Sequence, residues 1–399
     1  MKSKTIDDIF LNISHFLDHF MMLIFAKAAF DAGKYFGLSY DEIIFYATFG
    51  FIFFGAFAPV ASFFADKYSR SILMVIFHFG IGISAIAAGF SYNLFSLTVS
   101  LSIMGLFAAI YHPVGIAMLL SKNEKTGLRL GINGVFGNMG VAAAPLIVGA
   151  ILLFGDWRMC FFIPGIFCSF YGIVFFLSLK NKTKNITISD SKKCDHFARN
   201  WQWALSSIAL STLGGGFIFG AMTFIVPRYF EVSLLGISNS VAITGALASI
   251  VYACASFAQI AIGKLVDKFS PKIVLICIAT GQIVFIFFTS LFSDWALFFT
   301  MIMAMFFVFG QIPINDVVLS RYIPDSRRGR ILSMKFMLNL SVGASVLPLC
   351  SFFLQNGYEI RTLFSIMSMI AIFALVAALI LPNQDDKDRV DNLTNKETP

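Results

Sequence analysis

The chain has 399 residues, 58% hydrophobic and only 13% charged, with a mean hydropathy of +0.82. Soluble domains carry roughly 25% charged residues, so a water-facing surface over this whole length is excluded, and lipid must solvate much of it. The 48 Phe residues agree, being favourable in hydrocarbon and costly on a wet surface. The net charge of +7 forms no nucleic-acid stripe, because Lys and Arg sit in short clusters between apolar runs.

A membrane-spanning helix needs roughly 20 mostly apolar residues. Met1 to Asp8 mixes both signs of charge without a short apolar core and cleavage site, so no cleaved leader is expected. The first run, 9–30, is then a retained span. On it His15, Asp18, His19 and Met22 fall at i, i+3, i+4 and i+7, one helical face. Lys27 and Asp31, near its far end, are spaced to pair with each other. Span 2 covers 41–63 and ends at Asp66-Lys67-Tyr68-Ser69-Arg70. Span 3, 71–91, starts close to His78, which reads as interfacial. Span 4, 95–120, contains Tyr111-His112-Pro113-Val114-Gly115. Span 5, 128–153, carries Gly131, Asn133, Asn138, Gly140, Pro145 and Gly149, and span 6 covers 158–180.

The polar, basic stretch 181–200 follows, and then six more runs: 202–226, 240–262, 272–292, 294–320, 330–354 and 360–381. Asp267-Lys268 follows span 8. Gln311 and Asn315 share a face of span 10, beside Asp316, which is expected to pair with Arg321 or the Arg327-Arg328 loop. Lys335 lies early in span 11, where it could line a cavity or snorkel to the interface. The tail 382–399 is polar. The six cysteines show no C-x-x-C pair, so neither a disulfide framework nor a zinc site is expected.

Orientation follows the basic residues. Twenty-three of the 29 Lys and Arg fall on the side holding both termini and the loops after even-numbered spans. The other side has only Lys34, Arg158, Arg228 and Arg361. Both termini are therefore expected in the cytoplasm. The chain also repeats. Asp66 and Asp267, Pro113 and Pro313, Pro145 and Pro348, and Arg158 and Arg361 are separated by 200 to 203 residues. An all-α membrane protein of two six-helix halves follows, 1–180 and 201–381, joined by the linker 181–200.

With these residues the chain resembles the major facilitator superfamily from about Phe10 to about Leu381. That family's loop G-x-x-x-D-R/K-x-G-R-K is matched by Ser62, Asp66, Lys67, Ser69, Arg70 and Ser71, with serine replacing both glycines. The second-half copy keeps Gly263, Asp267, Lys268, Ser270 and Lys272. The resemblance implies a conformational latch at Asp66, Lys67, Arg70, Asp267 and Lys268. The span 5 pattern of the family's drug-extruding proton antiporters, G-x8-G-x3-G-P-x2-G-G, is met at Gly131, Gly140, Pro145 and Gly149, while Ala144 and Val148 replace two glycines. It implies close helix packing, a bend, and export. The arginine that many such antiporters place in span 4 is absent, with Leu101 near its position. The Ser14-His15-Phe16-Leu17-Asp18-His19 and Tyr111-His112-Pro113-Val114-Gly115 stretches are similar to the fosmidomycin resistance branch.

An ionisable side chain at mid-membrane costs about 2.5–3.5 kcal/mol or more, so those present need a reason. The resemblance places spans 1 and 4 beside a central cavity. His15, Asp18, His19 and His112 could meet there and handle protons, with Asn133, Asn138, Gln311, Asn315 and Lys335 as further cavity residues. The plainer alternative leaves the histidines hydrogen-bonded at the interface. His15 and His19 with Asp18 between them could share a metal ion, but no cysteine or further carboxylate accompanies them, so none is expected. No G-x-S-x-G, H-E-x-x-H or P-loop motif occurs, which disfavours an enzyme or an ATP-driven pump. The expectation is a monomeric, cofactor-free, proton-coupled exporter of a small drug-like or siderophore-like compound in a bacterial inner membrane. An importer of an anionic metabolite or metal chelate, with Lys335 as anion contact, is the rival.

Overall fold

The computed structural model describes residues 2–120, 126–179 and 197–383. Among them every regular element is a helix. Lipid offers no hydrogen bonds, so a spanning segment must satisfy its own backbone, which an α-helix does. Among the described residues twelve helical stretches are long and apolar enough to span: Asp8–Phe36, Tyr40–Ala65, Arg70–Gly89, Leu94–Leu119, Gly131–Ile151, Met159–Leu179, Trp201–Ser233, Val241–Val266, Pro271–Leu291, Asp294–Leu319, Met334–Gln355 and Ile360–Ile380. They keep the numbers 1 to 12, and each overlaps the run predicted for it. The linker lies outside the described residues except for its last few, which rejoin the fold where Phe197 stacks on Trp201 at 4.4 Å.

Among the described residues spans 2, 4 and 8 are broken, span 2 twice, at Tyr46–Ala47 and at Phe57, and prolines lie at two of the breaks. Span 4 is two helices, Leu94–Ala108 and Tyr111–Leu120. Pro113 has no N–H to give the Ala109 carbonyl, so the backbone tightens at Ala109–Ile110 and resumes. In span 2 the last segment, Ala58–Lys67, begins after Phe57 with Pro59 in its first turn. Span 8 breaks at the repeat-related Phe257, where Gln259 replaces the proline. We have no local physical account of that break.

Packing follows the repeat. Spans 1·5, 3·6, 3·4 and 2·4 pack together in the first half, and spans 7·11, 9·12, 9·10 and 8·10 in the second. Each pairing in one half recurs six spans later. The halves meet through spans 5·8, 2·11 and 1·7, the set that a two-fold exchange of the halves maps onto itself. Spans 1 and 7 are the most enclosed, with 72% and 61% of their apolar windows buried. Many phenylalanines are exposed on the bundle surface, as a lipid-facing belt requires.

Polar contacts between the halves gather at the end remote from the termini. Lys27 of span 1 donates to Glu231 Oε1 of span 7 at 2.5 Å and to Thr244 Oγ1 of span 8 at 3.2 Å. Arg228 holds the other Glu231 oxygen at 2.8 Å and lies 3.6 Å over the Phe30 ring. Ser351 Oγ donates to the Asp41 carbonyl at 2.6 Å. This corrects the pairing expected within span 1. Lys27 faces the other half, and Asp31 takes Lys34 at 3.2 Å.

Candidate functional site

The site begins with the helical face of span 1. His15 and Asp18 are buried, and His19 is half-buried beside them. Span 4 contributes the next residues because its break starts a new helix at Tyr111, with His112 the second residue. Tyr111 stacks on the His15 ring with centroids 4.7 Å apart. His112 stands edge-on to His15 at 5.4 Å and to His19 at 5.5 Å. The four expected ionisable residues therefore do come together.

Each ring is held by a specific contact. His15 Nδ1 donates to the Asn133 carbonyl at 2.7 Å, which leaves its Nε2 as acceptor, 3.1 Å from His19 Nε2. His112 Nε2 lies 3.4 Å from Asp18 Oδ2, while the buried His112 Nδ1 has no hydrogen-bond partner. Asp18 is 0% exposed, and neither of its oxygens is hydrogen-bonded. A bare buried carboxylate is costly, so it must carry a proton or stand beside a cation. The ligand nitrogens of His15, His19 and His112 all lie within 4.8 Å of one another, close enough for one metal ion.

Span 5 supplies the floor. Asn133 is buried, its Nδ2 donating to Asn12 Oδ1 at 3.0 Å and to the Tyr111 hydroxyl at 2.9 Å. Gly137 leaves room for His15, since a Cβ there would lie 2.6 Å from the imidazole. Asn138 is buried with Nδ2 unpaired. Gly140 lets the backbones of spans 1 and 5 approach at Phe16, and Gly149 meets the start of span 8. Pro145 lies inside the span 5 helix, its carbonyl against Gly245 of span 8. Gly131 has nothing within 4 Å of a would-be Cβ, so the packing expected of it is corrected.

The second-half residues form a separate network. Gln311 Nε2 donates to Ser211 Oγ at 2.6 Å and its Oε1 accepts from Gln282 at 2.6 Å, while Ser211 Oγ donates to Asn315 at 2.9 Å. Among the described residues no hydrogen bond, ion pair or ring contact joins this network to the histidines. Lys335 pairs with Asp316, which gives Asp316 a partner on span 11. The residue beside Lys335, Phe336, reaches His112 at 5.5 Å and brings the second half to the cluster. His78 of span 3 is fully buried against spans 1 and 6, 3.0 Å from Ser14 Oγ and 5.1 Å from the Tyr171 ring, and is not interfacial as expected. Of the latch, the side chains of Asp66 and Asp267 lie outside the described residues. Lys67 is exposed over the Phe63 ring at 4.1 Å, Lys268 is exposed, and Arg70 opens span 3.

Sequence reasoning missed Gly137, Asn12 and Phe336 and quoted Tyr111 without a role. Their contacts cross between spans, and no local spacing announces them. An apolar groove on spans 2 and 4, lined by Tyr46, Phe49, Phe53, Phe95 and Val99, holds none of this chemistry.

A family model described as Major Facilitator Superfamily matches residues 9–258 and 234–398. The multidrug resistance protein MdtG of Proteus mirabilis (strain HI4320) is 25% identical over 349 residues, 83% of each chain. The inward open xylose transporter XylE from E. coli superposes with a TM-score of 0.77 at 12% identity, covering 95% of this chain and 97% of its own. An inward-facing bacterial homologue of the human lysosomal transporter Spinster gives 0.72 at 15% identity, covering 94% and 96%.

Proposed function

Because this chain belongs to the Major Facilitator Superfamily, we infer that it exports a small organic compound in exchange for protons. That it is a membrane transporter and not an enzyme follows from the family; direction and coupling are our reading. The observation that carries it is the placement of Asp18, a fully buried carboxylate without a hydrogen bond, on the most enclosed span and against His112. Ionisable groups so placed mark ion pathways. Export is supported by the relative named for multidrug resistance.

In this reading the halves 1–180 and 201–381 rock about the cavity, with Asp66, Lys67, Arg70, Asp267 and Lys268 latching the end that carries the termini. The basic residues at that end support a cytoplasmic orientation, and the bacterial relative supports the inner membrane as the location. Lys335, already neutralised by Asp316, is poorly placed to attract an anion, so import of an anionic metabolite stands second.

The test is flux in inverted vesicles and in proteoliposomes, scanned over candidate compounds with and without an imposed pH gradient. The parent should concentrate its compound only with the gradient. Asp18→Asn should lose that while keeping substrate exchange at equal pH, because exchange needs no net proton movement. Full gradient-driven accumulation by Asp18→Asn would remove Asp18 from the coupling.

A further inference from the structure

We propose that His15, His19 and His112 form a binding site for a divalent late first-row transition metal ion, and that such an ion is cargo. The ion arrives bare or at an open coordination position of a chelate. The cargo clause rests on the transporter reading; the binding site stands on its own geometry.

Three imidazoles from two spans converge so that one nitrogen of each lies within 4.8 Å of the others. Zinc binds imidazole nitrogen at about 2.0–2.1 Å in tetrahedral geometry, which puts neighbouring ligand atoms about 3.3 Å apart. His15 Nε2 and His19 Nε2 are already 3.1 Å apart, so an ion replacing the shared proton needs little rearrangement there. Two of the three rings are oriented as metal-binding histidines usually are, with a carbonyl or a carboxylate beside another ring nitrogen. His15 Nδ1 is held by the Asn133 carbonyl at 2.7 Å. His112 turns Nε2 toward Asp18 at 3.4 Å, and its other nitrogen, Nδ1, is buried and unpaired. That free nitrogen is a second observation pointing to a ligand. So is Asp18, a buried carboxyl without a hydrogen bond, since an adjacent cation would offset the charge of its ionised form.

The donor set selects the ion. Imidazole suits zinc, copper, nickel and ferrous iron, whereas magnesium and calcium seek oxygen. Three protein ligands leave one tetrahedral position open. His19 and His112 are part-exposed, so an ion can enter, and the open position can take water or a donor of a carried chelate.

The test uses untagged full-length protein in detergent at neutral pH. Equilibrium dialysis with Zn2+ should show one ion per chain, and Co2+ should develop the visible absorption of a tetrahedral site. His19→Ala and His112→Ala should each weaken binding at least 100-fold. Asp18→Asn should weaken it about 10–100-fold, the usual effect of an outer-shell carboxylate. Zn2+ bound alone identifies the bare ion. Binding of the nitrilotriacetate complex but not of the ion identifies a chelate. Parent protein that takes up neither overturns the site, whatever the variants do, and so does unchanged affinity in folded His19→Ala and His112→Ala. Flux under a pH gradient, measured on the same preparation, separates the two readings. No metal binding with intact flux sinks this site and spares the transporter reading, and the reverse result spares the site.

Discussion

Gly137 illustrates how one missing side chain permits a site. A Cβ at that position would press on the His15 imidazole at 2.6 Å, and overpacking of this kind costs about 1–3 kcal/mol. Gly137→Ala should lower the melting temperature in detergent. It should weaken substrate affinity by roughly tenfold, an effect of about 1.4 kcal/mol. Unchanged affinity and melting would show that His15 can move aside freely. The face bearing His15, Asp18 and His19 was legible because helical spacing alone fixes it. Gly137 and Phe336 were not legible, since their roles come from spans 5 and 11 packing against spans 1 and 4. The misassigned partner of Lys27 has the same origin. An i, i+4 pair contributes only about 0.2–0.5 kcal/mol, and a lysine 2% exposed is placed by the half it faces.

Among the elements, the broken span 4 matters most to the site. Pro113 frees the Ala109 carbonyl, and the restarted helix presents Tyr111 and His112 together. Pro113→Ala would supply the missing N–H and let the helix continue through the break. We expect the variant to fold and melt at or above the parent temperature while flux falls about tenfold, the equivalent of about 1.4 kcal/mol lost at the site. Parent-like flux would mean the break does not position His112. The breaks at Phe57 and Phe257 occupy repeat-related places with a proline near only one of them. The proline was visible in the sequence, and the shared break was not, because Gln259 stands where the repeat would place a second proline.

The whole molecule is closed at the end remote from the termini, where Glu231 is held by Lys27 of one half and Arg228 of its own. Removing one member of a buried pair costs about 3–5 kcal/mol, because the other charge is left unpaired. Glu231→Gln should therefore shift the population toward an open remote end. Spin labels at Phe154 and Leu235, both exposed there, should show a longer distance by pulsed resonance in the variant. An unchanged distance distribution would remove the clamp from the conformational balance. Orientation has its own check. A cysteine at Phe154 should react with an impermeant thiol reagent on intact cells, and one at Lys268 only after permeabilisation. The reverse pattern would invert the topology. Twelve spans and the two-fold repeat could be read from hydropathy and spacing. Which end is shut could not, since one sequence must support both states of a rocking pair and its periodicity is the same in each.

The clamp also makes Lys27 a natural clock for turnover. Its amine is sealed against solvent while the remote end is shut, and opening that end would bare it to reagents that acylate amines. The rate at which Lys27 becomes modified in parent protein, read by mass spectrometry, would then count openings directly, with no label introduced. Adding a transported compound should change that rate, and a compound that merely adheres to the surface should leave it alone. A screen for unknown cargo could thus be run on one lysine.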